Sequence, residues 1–120
     1  MALEILSQTD DALVHVRLTG VMQLADQTTL QTRAKQWIDR GLKPRVLAVI
    51  ENFQGWQKGV DWGDVTFLST HGDDVAKIAI VGDPQWKDQA FMFLAKGLRA
   101  TQIEYFAPSA RAEAEAWIRK

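Results

Sequence analysis

Two short stretches, VLAVI at 46–50 and IAIV at 78–81, restrict the folds open to this chain more than any other feature. Neither contains a polar residue, so neither can alternate between core and water as a half-exposed strand does. Strands covered on both faces read this way, and they belong inside a largely parallel sheet with helices packed against it. Parallel strands need crossovers of a dozen residues or more, and the segments around the two runs are long enough to supply them.

Those segments carry recognisable patterns. Leu3 and Ile5, then Val14, Val16 and Leu18, alternate with polar residues that include His15 and Arg17. SQTDD lies between them, which predicts an antiparallel hairpin, ended by Gly20. From about Leu24 the period lengthens: Leu30, Ala34, Trp37 and Ile38 share one helical face, Gly41 suits the left-handed position after the helix, and Pro44 forbids continuation. After the first apolar run, ENFQGWQKG predicts a loop, and Asp61 a cap for a short helix carrying Trp62, Val65, Phe67 and Leu68, closed by HGDD. After the second run, Asp83 can cap and Pro84 suits the first helical position, with Ala90, Phe91 and Leu94 forming an apolar stripe before Gly97. Ile103 to Phe106 reads as a last strand, and Ser109 as the cap of a helix whose Ala110, Ala114, Trp117 and Ile118 face inward. The expected order is ββαβαβαβα, an α/β fold with a mostly parallel sheet, an antiparallel N-terminal edge strand and crossover helices, in a single domain over residues 1–120.

With 120 residues, 47% of them hydrophobic and 24% charged, the composition is that of a chain able to bury a core. Fourteen basic residues against fifteen acidic ones give a net charge of -1, which leaves no positive field to gather nucleic acid or an anionic membrane. No run approaches the ~20 apolar residues of a membrane span, and MALEILSQTDD lacks the basic start and apolar stretch of an export signal. The expectation is a cytoplasmic protein without integral membrane association. With no cysteine, disulfides, thiolate catalysis and cysteine metal sites are excluded.

Three motifs carry a resemblance. VIENFQGW contributes Glu51, Phe53, Gly55 and Trp56; IAIVGDPQW contributes Val81, Gly82, Asp83 and Trp86; IEYFAPSARAEAEAWI contributes Tyr105, Phe106, Ala116 and Trp117. In this order and spacing, across nearly the whole chain, they resemble the SpoIIAA-like proteins of the STAS/SEC14-type group. The resemblance implies a small sheet wound with helices, similar to anti-sigma-factor antagonists and to STAS domains of anion transporters, and it leaves activity open. The antagonists resemble phosphorylation switches with Ser or Thr at the helix start after the middle strand. From Glu51 to Asp64 this chain has neither, so the usual switch is not expected.

Chemistry-bearing constellations are sparse. His15 and His71 have no metal-ligand spacing, Ser7, Ser69 and Ser109 lack a nucleophile elbow, and no glycine-rich phosphate cradle occurs. His71 beside Asp73 and Asp74 reads as a surface turn, and Asp83 as a helix cap. Glu51 and Asp61 could share a crevice, but two carboxylates without a further partner are a weak enzyme signal. No cofactor or metal is expected, and the chain reads as a non-enzyme.

The remaining signal is aromatic. Trp37 and Trp117 fall on the apolar stripes of their helices and read as core. Trp56, Trp62 and Trp86 fall just beyond strand ends, where α/β sheets hold ligands. They can cap the core, or they can line an apolar pocket with Phe67 and Phe91, with Trp56 as a lid and Gly55, Gly59 and Gly63 allowing movement. AFMFLAKGL at 90–98 is apolar on more than one face, so Met92 and Phe93 are candidates for a contact with a second copy or a partner protein. The leading expectation is a module binding a small apolar or amphipathic, lipid-like ligand at the carboxyl edge of the sheet. A STAS-type interaction module, including a homodimer, is the alternative.

Overall fold

The computed structural model describes residues 3–9, 12–59, 74–94, 96 and 100–120. Five strands form one sheet in the order of the sequence: β1 (Leu3–Gln8), β2 (Leu13–Met22), β3 (Arg45–Trp56), β4 (Lys77–Val81) and β5 (Gln102–Phe106). β1 runs antiparallel to β2, and every other neighbour is parallel. The helices among the described residues are α1 (Leu24–Ile38), α2 (Lys87–Phe93) and α3 (Arg111–Arg119). The predicted mixed α/β fold is therefore observed; the helix expected over Asp61 to Leu68 lies outside the described residues.

A sheet that grows in one direction by right-handed crossovers places those helices on one face. Trp37 of α1 packs with Val16, Leu18 and Ala48, and Ala90 of α2 packs with Ile78, Ile80 and Ile103, all on the same side of the sheet. The reverse side presents Leu47, Val49, Ala79 and Val81, covered by Ala114 and Ile118 of α3. Both apolar runs are thus buried above and below, which is why they lack polar residues. Toward β1, His15 and Arg17 take the reverse-face positions of β2, where each is partly exposed.

Each helix is fixed at an end. For α1, the Gln23 N–H donates to Asp26 Oδ2 at 2.8 Å and the Leu24 N–H to Gln57 Oε1 at 3.1 Å, which satisfies free donors of the first turn. At its far end Gly41 has φ +81°, with the Gly41 N–H bonded to the Ile38 carbonyl and the Leu42 N–H to the Trp37 carbonyl. This is the glycine-terminated pairing that the sequence announces. For α3, Lys77 Nζ donates to the Trp117 carbonyl at 3.2 Å and Arg45 Nη1 to the Ile118 carbonyl at 3.1 Å, placing two cations at its negative end.

Three local expectations are corrected. Gly20 does not end β2; it takes φ +69° and the strand continues to Met22. Ser109 does not cap α3, because a 3₁₀ turn over Pro108–Ala110 precedes the helix and no side chain caps it. ENFQGW is not a loop, since β3 runs through it to Trp56. That extension pairs Thr19 with Glu51, Gly20 with Phe53, Val21 with Gly55 and Met22 with Trp56, so Asn52 and Gln54 are extra residues without partners on β2. Asn52 takes φ +50°, a conformation that asparagine tolerates. These are β-bulges.

Candidate functional site

The bulges decide where the aromatic side chains go. In a regular strand, residues three apart face opposite sides, so Phe53 and Trp56 would part. One extra residue on β3 before Phe53 and another before Trp56 shift the alternation, and both side chains join Ile50 and Met22 on the side of α1 and α2. Trp86 arrives from β4. The chain leaves Val81 through Gly82, Asp83 Oδ1 accepts the Gln85 N–H at 2.9 Å, and a 3₁₀ turn over Pro84–Trp86 delivers the indole to the same place. Gly82 is required there, because a Cβ would lie 2.1 Å from Ile50 Cγ1. The Tyr105 hydroxyl pins the same turn by donating to the Asp83 carbonyl at 2.6 Å.

The rings interlock edge to face. Phe53 stands 5.2 Å from Trp56 and 5.1 Å from Trp86 between centroids, and the two indoles are 6.0 Å apart. Phe93, the last residue of α2, closes the group at 5.6 Å from Trp56. Pairs in this geometry contribute ~0.5–1.5 kcal/mol each beyond their buried area. Gly55, with φ +100°, brings its backbone against Trp86, whose Cη2 would lie 3.6 Å from a Cβ at that position.

Beneath the cluster is a cavity of about 170 Å³ between the sheet and the two helices. Ala48, Ile50, Ile78 and Ile80 form its floor, Leu30 and Ala34 of α1 one wall, and Ala90 and Leu94 the other. Phe53, Trp56, Trp86 and Phe93 form its aromatic end. Its polar lining residues among those described are Gln27 and Gln31, apart from the indole nitrogens. Gln27 Oε1 and Trp56 Nε1 are buried and have no hydrogen-bond partner among the described residues. Phe53 and Trp86 also wall a more polar crevice of about 240 Å³, whose other lining residues include Asn52, Asp83 and Gln85. The aromatic rings therefore stand as a partition between an apolar chamber and a more polar notch.

Of the residues singled out from sequence, Trp56 and Trp86 come together at the cavity. Phe91 stands apart from the described lining and packs against Tyr105 at 6.2 Å, with Lys96 Nζ 4.6 Å from its ring centroid. Trp62 and Phe67 lie outside the described residues, as does Gly63. Phe93, singled out for a contact surface, turns to the cavity, whereas its neighbour Met92 is 81% exposed. Phe53, Gln27 and Met22 were not anticipated in the lining. The motif F-x-G-W held the signal for Phe53, but its facing depends on bulges that only pairing with β2 reveals. Trp37 is buried, and Trp117 is half-buried against Phe106 at 6.0 Å.

The acid-base groups are dispersed. Glu51 is exposed, and Asp61 and His71 lie outside the described residues. His15 Nε2 meets Arg111 Nη2 at 3.3 Å on the side of the sheet that carries α3. Burial and the Arg111 charge hold the His15 pKa below the ordinary histidine value, against a smaller opposing pull from Glu115. Among the described residues, no group of three or more His, Asp or Glu is placed to hold a metal ion, and no helix is long and apolar enough to cross a membrane.

A sheet wound in one direction, with crossover helices on one side and a closing helix on the other, defines a class of small α/β domains. The SpoIIAA-like family model matches residues 13–119, and the chain belongs to that family. It is similar in fold to the crystal structure of an uncharacterized protein from the DUF3478 family with a SpoIIAA-like fold, from Shewanella loihica PV-4. The TM-score is 0.64 at 19% identity, covering 98% of this chain and 92% of that one. Comparison with curated proteins finds no match. The SpoIIAA-like assignment suggests a regulatory or interaction module.

Proposed function

We propose that this domain is a binding module rather than an enzyme, and that it holds a small apolar or amphipathic molecule in the cavity between the sheet, α1 and α2. The carrying observation is a cavity of about 170 Å³ whose lining, among the described residues, is almost wholly apolar and ends in four interlocked aromatic rings. Small ligands are held in concave, mostly apolar sites with a few polar groups, and this lining is of that kind. The cavity's size restricts the occupant. An apolar cavity of ~150 Å³ accommodates benzene, so this one suits a ring or a short chain of roughly six to eight heavy atoms. A long acyl chain would have to leave most of its length outside, past Trp56 and Trp86. The family assignment supports the same class, a module that recognises something, without naming a ligand.

The test is a titration with toluene followed by tryptophan emission and thermal melting. Binding to the native state predicts a saturable change in emission and a rise in melting temperature that grows with the logarithm of ligand concentration. Trp86→Ala, which opens the aromatic end, weakens both responses. A flat emission curve together with an unmoved melting temperature, up to the solubility limit of toluene, refutes the reading.

A second reading, a STAS-type contact with another copy or a partner protein, is favoured by Met92, which is 81% exposed on α2. It predicts a dimer mass in solution that reverts to monomer on Met92→Glu. A monomer at high concentration removes the self-association form.

A further inference from the structure

Two features of the chamber narrow its occupant. The first is where the room comes from. Ala34 of α1, Ala48 of β3 and Ala90 of α2 all line it, one from each surface that bounds it, and each is buried. Side chains of a single carbon at these places leave space that longer ones would fill. The second is the aromatic end. Phe53, Trp56, Trp86 and Phe93 all line the chamber, and the planes of Phe53, Trp56 and Trp86 cross pairwise at 87°, 83° and 77°. Planes nearly perpendicular to one another cannot all turn an edge, or all turn a face, toward one void. The wall they make therefore mixes tilts, and with them the positive rims and negative faces of the rings.

Resting on the binding reading above, we infer that the occupant is aromatic: a single ring with a short substituent, seated against these four side chains and preferred over a saturated molecule of the same carbon count. A saturated ring placed there gains only the apolar area it buries. An aromatic one carries its own positive rim and negative faces, so it can add an edge-to-face or offset pair to a wall of mixed tilt, and such pairs contribute beyond their area. Trp86 and Phe93 are then specificity-determining side chains, one arriving from the turn after β4 and the other from the end of α2. Ala90 sets how much room the ring has.

Toluene and methylcyclohexane, which share a carbon count and differ in aromaticity, test this. Dissociation constants are measured by tryptophan emission, with thermal melting as the check that each protein is folded. Each affinity is divided by the probe's own partition coefficient from water to hexadecane, which removes general hydrophobicity. On this scale the wild-type protein is expected to prefer toluene by about 2- to 10-fold, the worth of one ring pair. Phe93→Leu and Trp86→Leu, each exchanging a ring for an aliphatic side chain, are expected to pull the preference toward unity. Ala90→Leu, which fills part of the chamber, is expected to weaken both probes by about 10-fold or more. A wild-type ratio of unity or below, or a preference that survives in a folded ring variant, overturns the aromatic inference and leaves the binding reading in place. Should neither ring variant fold, the wild-type ratio still decides. Undiminished binding of both probes to folded Ala90→Leu protein puts them outside the chamber, and both readings fall, as they do if neither probe binds.

Discussion

Gly82→Ala is a sharp test of how β4 is joined to the aromatic cluster. A Cβ at this position would lie 2.1 Å from Ile50 Cγ1, 2.6 Å from Ile50 Cδ1 and 3.0 Å from the Tyr105 hydroxyl. Carbon atoms in contact sit ~3.5–4.0 Å apart, so Ile50 would have to retreat by well over an ångström. Rotation about χ1 offers little relief, because the branched Cβ tends to exchange one γ-carbon for the other and pairing with Leu18 holds the strand in place. Overpacking of this kind costs ~1–3 kcal/mol, and the backbone shift required places the cost near 3 kcal/mol. For a chain of this size that lowers the melting temperature by about 10–15 °C. The partner is named, so the reasoning can be isolated. Ile50→Ala removes the clashing atoms and by itself costs ~2 kcal/mol for a partly buried side chain. In the double variant the two losses should fall short of their sum by about 2 kcal/mol. Urea unfolding of the four proteins, with an unchanged denaturant slope, measures the cycle. Additive losses would show that the Gly82 contact is not what the alanine disturbs.

Other outcomes follow from the same coordinates. Tyr105 is the single tyrosine, and burial, aided by Asp83, pushes its hydroxyl up to about 12. The stability it contributes is present in full below the unfolded value of ~10 and disappears as pH rises through the folded one. Ultraviolet titration of tyrosinate should find the raised midpoint, and Tyr105→Phe should flatten this alkaline limb of the stability curve. His15 titrates below the usual histidine value for the burial and charge reasons given above, so its contribution holds above ~6.5 and is lost as pH falls through the lowered value. Arg111→Gln should raise the midpoint seen by NMR, and no movement would exclude the Arg111 contact as a cause. Lys77→Met removes the donor to the Trp117 carbonyl and the cation 4.9 Å from the Trp117 ring centroid, with an expected loss of about 1 kcal/mol in urea unfolding.

The readable parts of the sequence are those in which local pattern and tertiary burial agree. Val46 to Ile50 and Ile78 to Val81 are uninterrupted because helices cover both sides, so their strand character and their central place were visible together. Asp83-Pro84 announces the 3₁₀ turn that leads into α2, not the start of the α-helix itself, and Gly41 announces a helix end, both through chemistry that acts within a few residues. The extension of β3 was illegible for the opposite reason. Asn52 and Gly55 are turn formers by every local rule, and what makes them strand is pairing with Thr19 to Met22, more than 30 residues earlier. The same gap separated the site from its sequence signature. Of the three tryptophans read as lying beyond strand ends, Trp86 does lie past β4, Trp56 is the last residue of β3 itself, and Trp62 lies outside the described residues. The inward turn of Phe93, the outward turn of Met92 and the contribution of Phe53 depend on packing that a periodicity cannot see.

The bulged run from Asn52 to Gly55 makes the aromatic end of the cavity a matter of reading frame. Phe53 and Trp56 reach one side of the sheet because two residues are skipped in the pairing with β2. Were Asn52 paired in register instead of skipped, ordinary alternation would send Phe53, three residues after Ile50, toward the side that α3 covers, without altering any amino acid of the chamber itself. A one-residue slip in the pairing is therefore the equivalent of exchanging the furnishings of two rooms. With the rest of the sheet unchanged, a shift in where the bulge falls can reassign which side chains line the chamber more readily than a point substitution can.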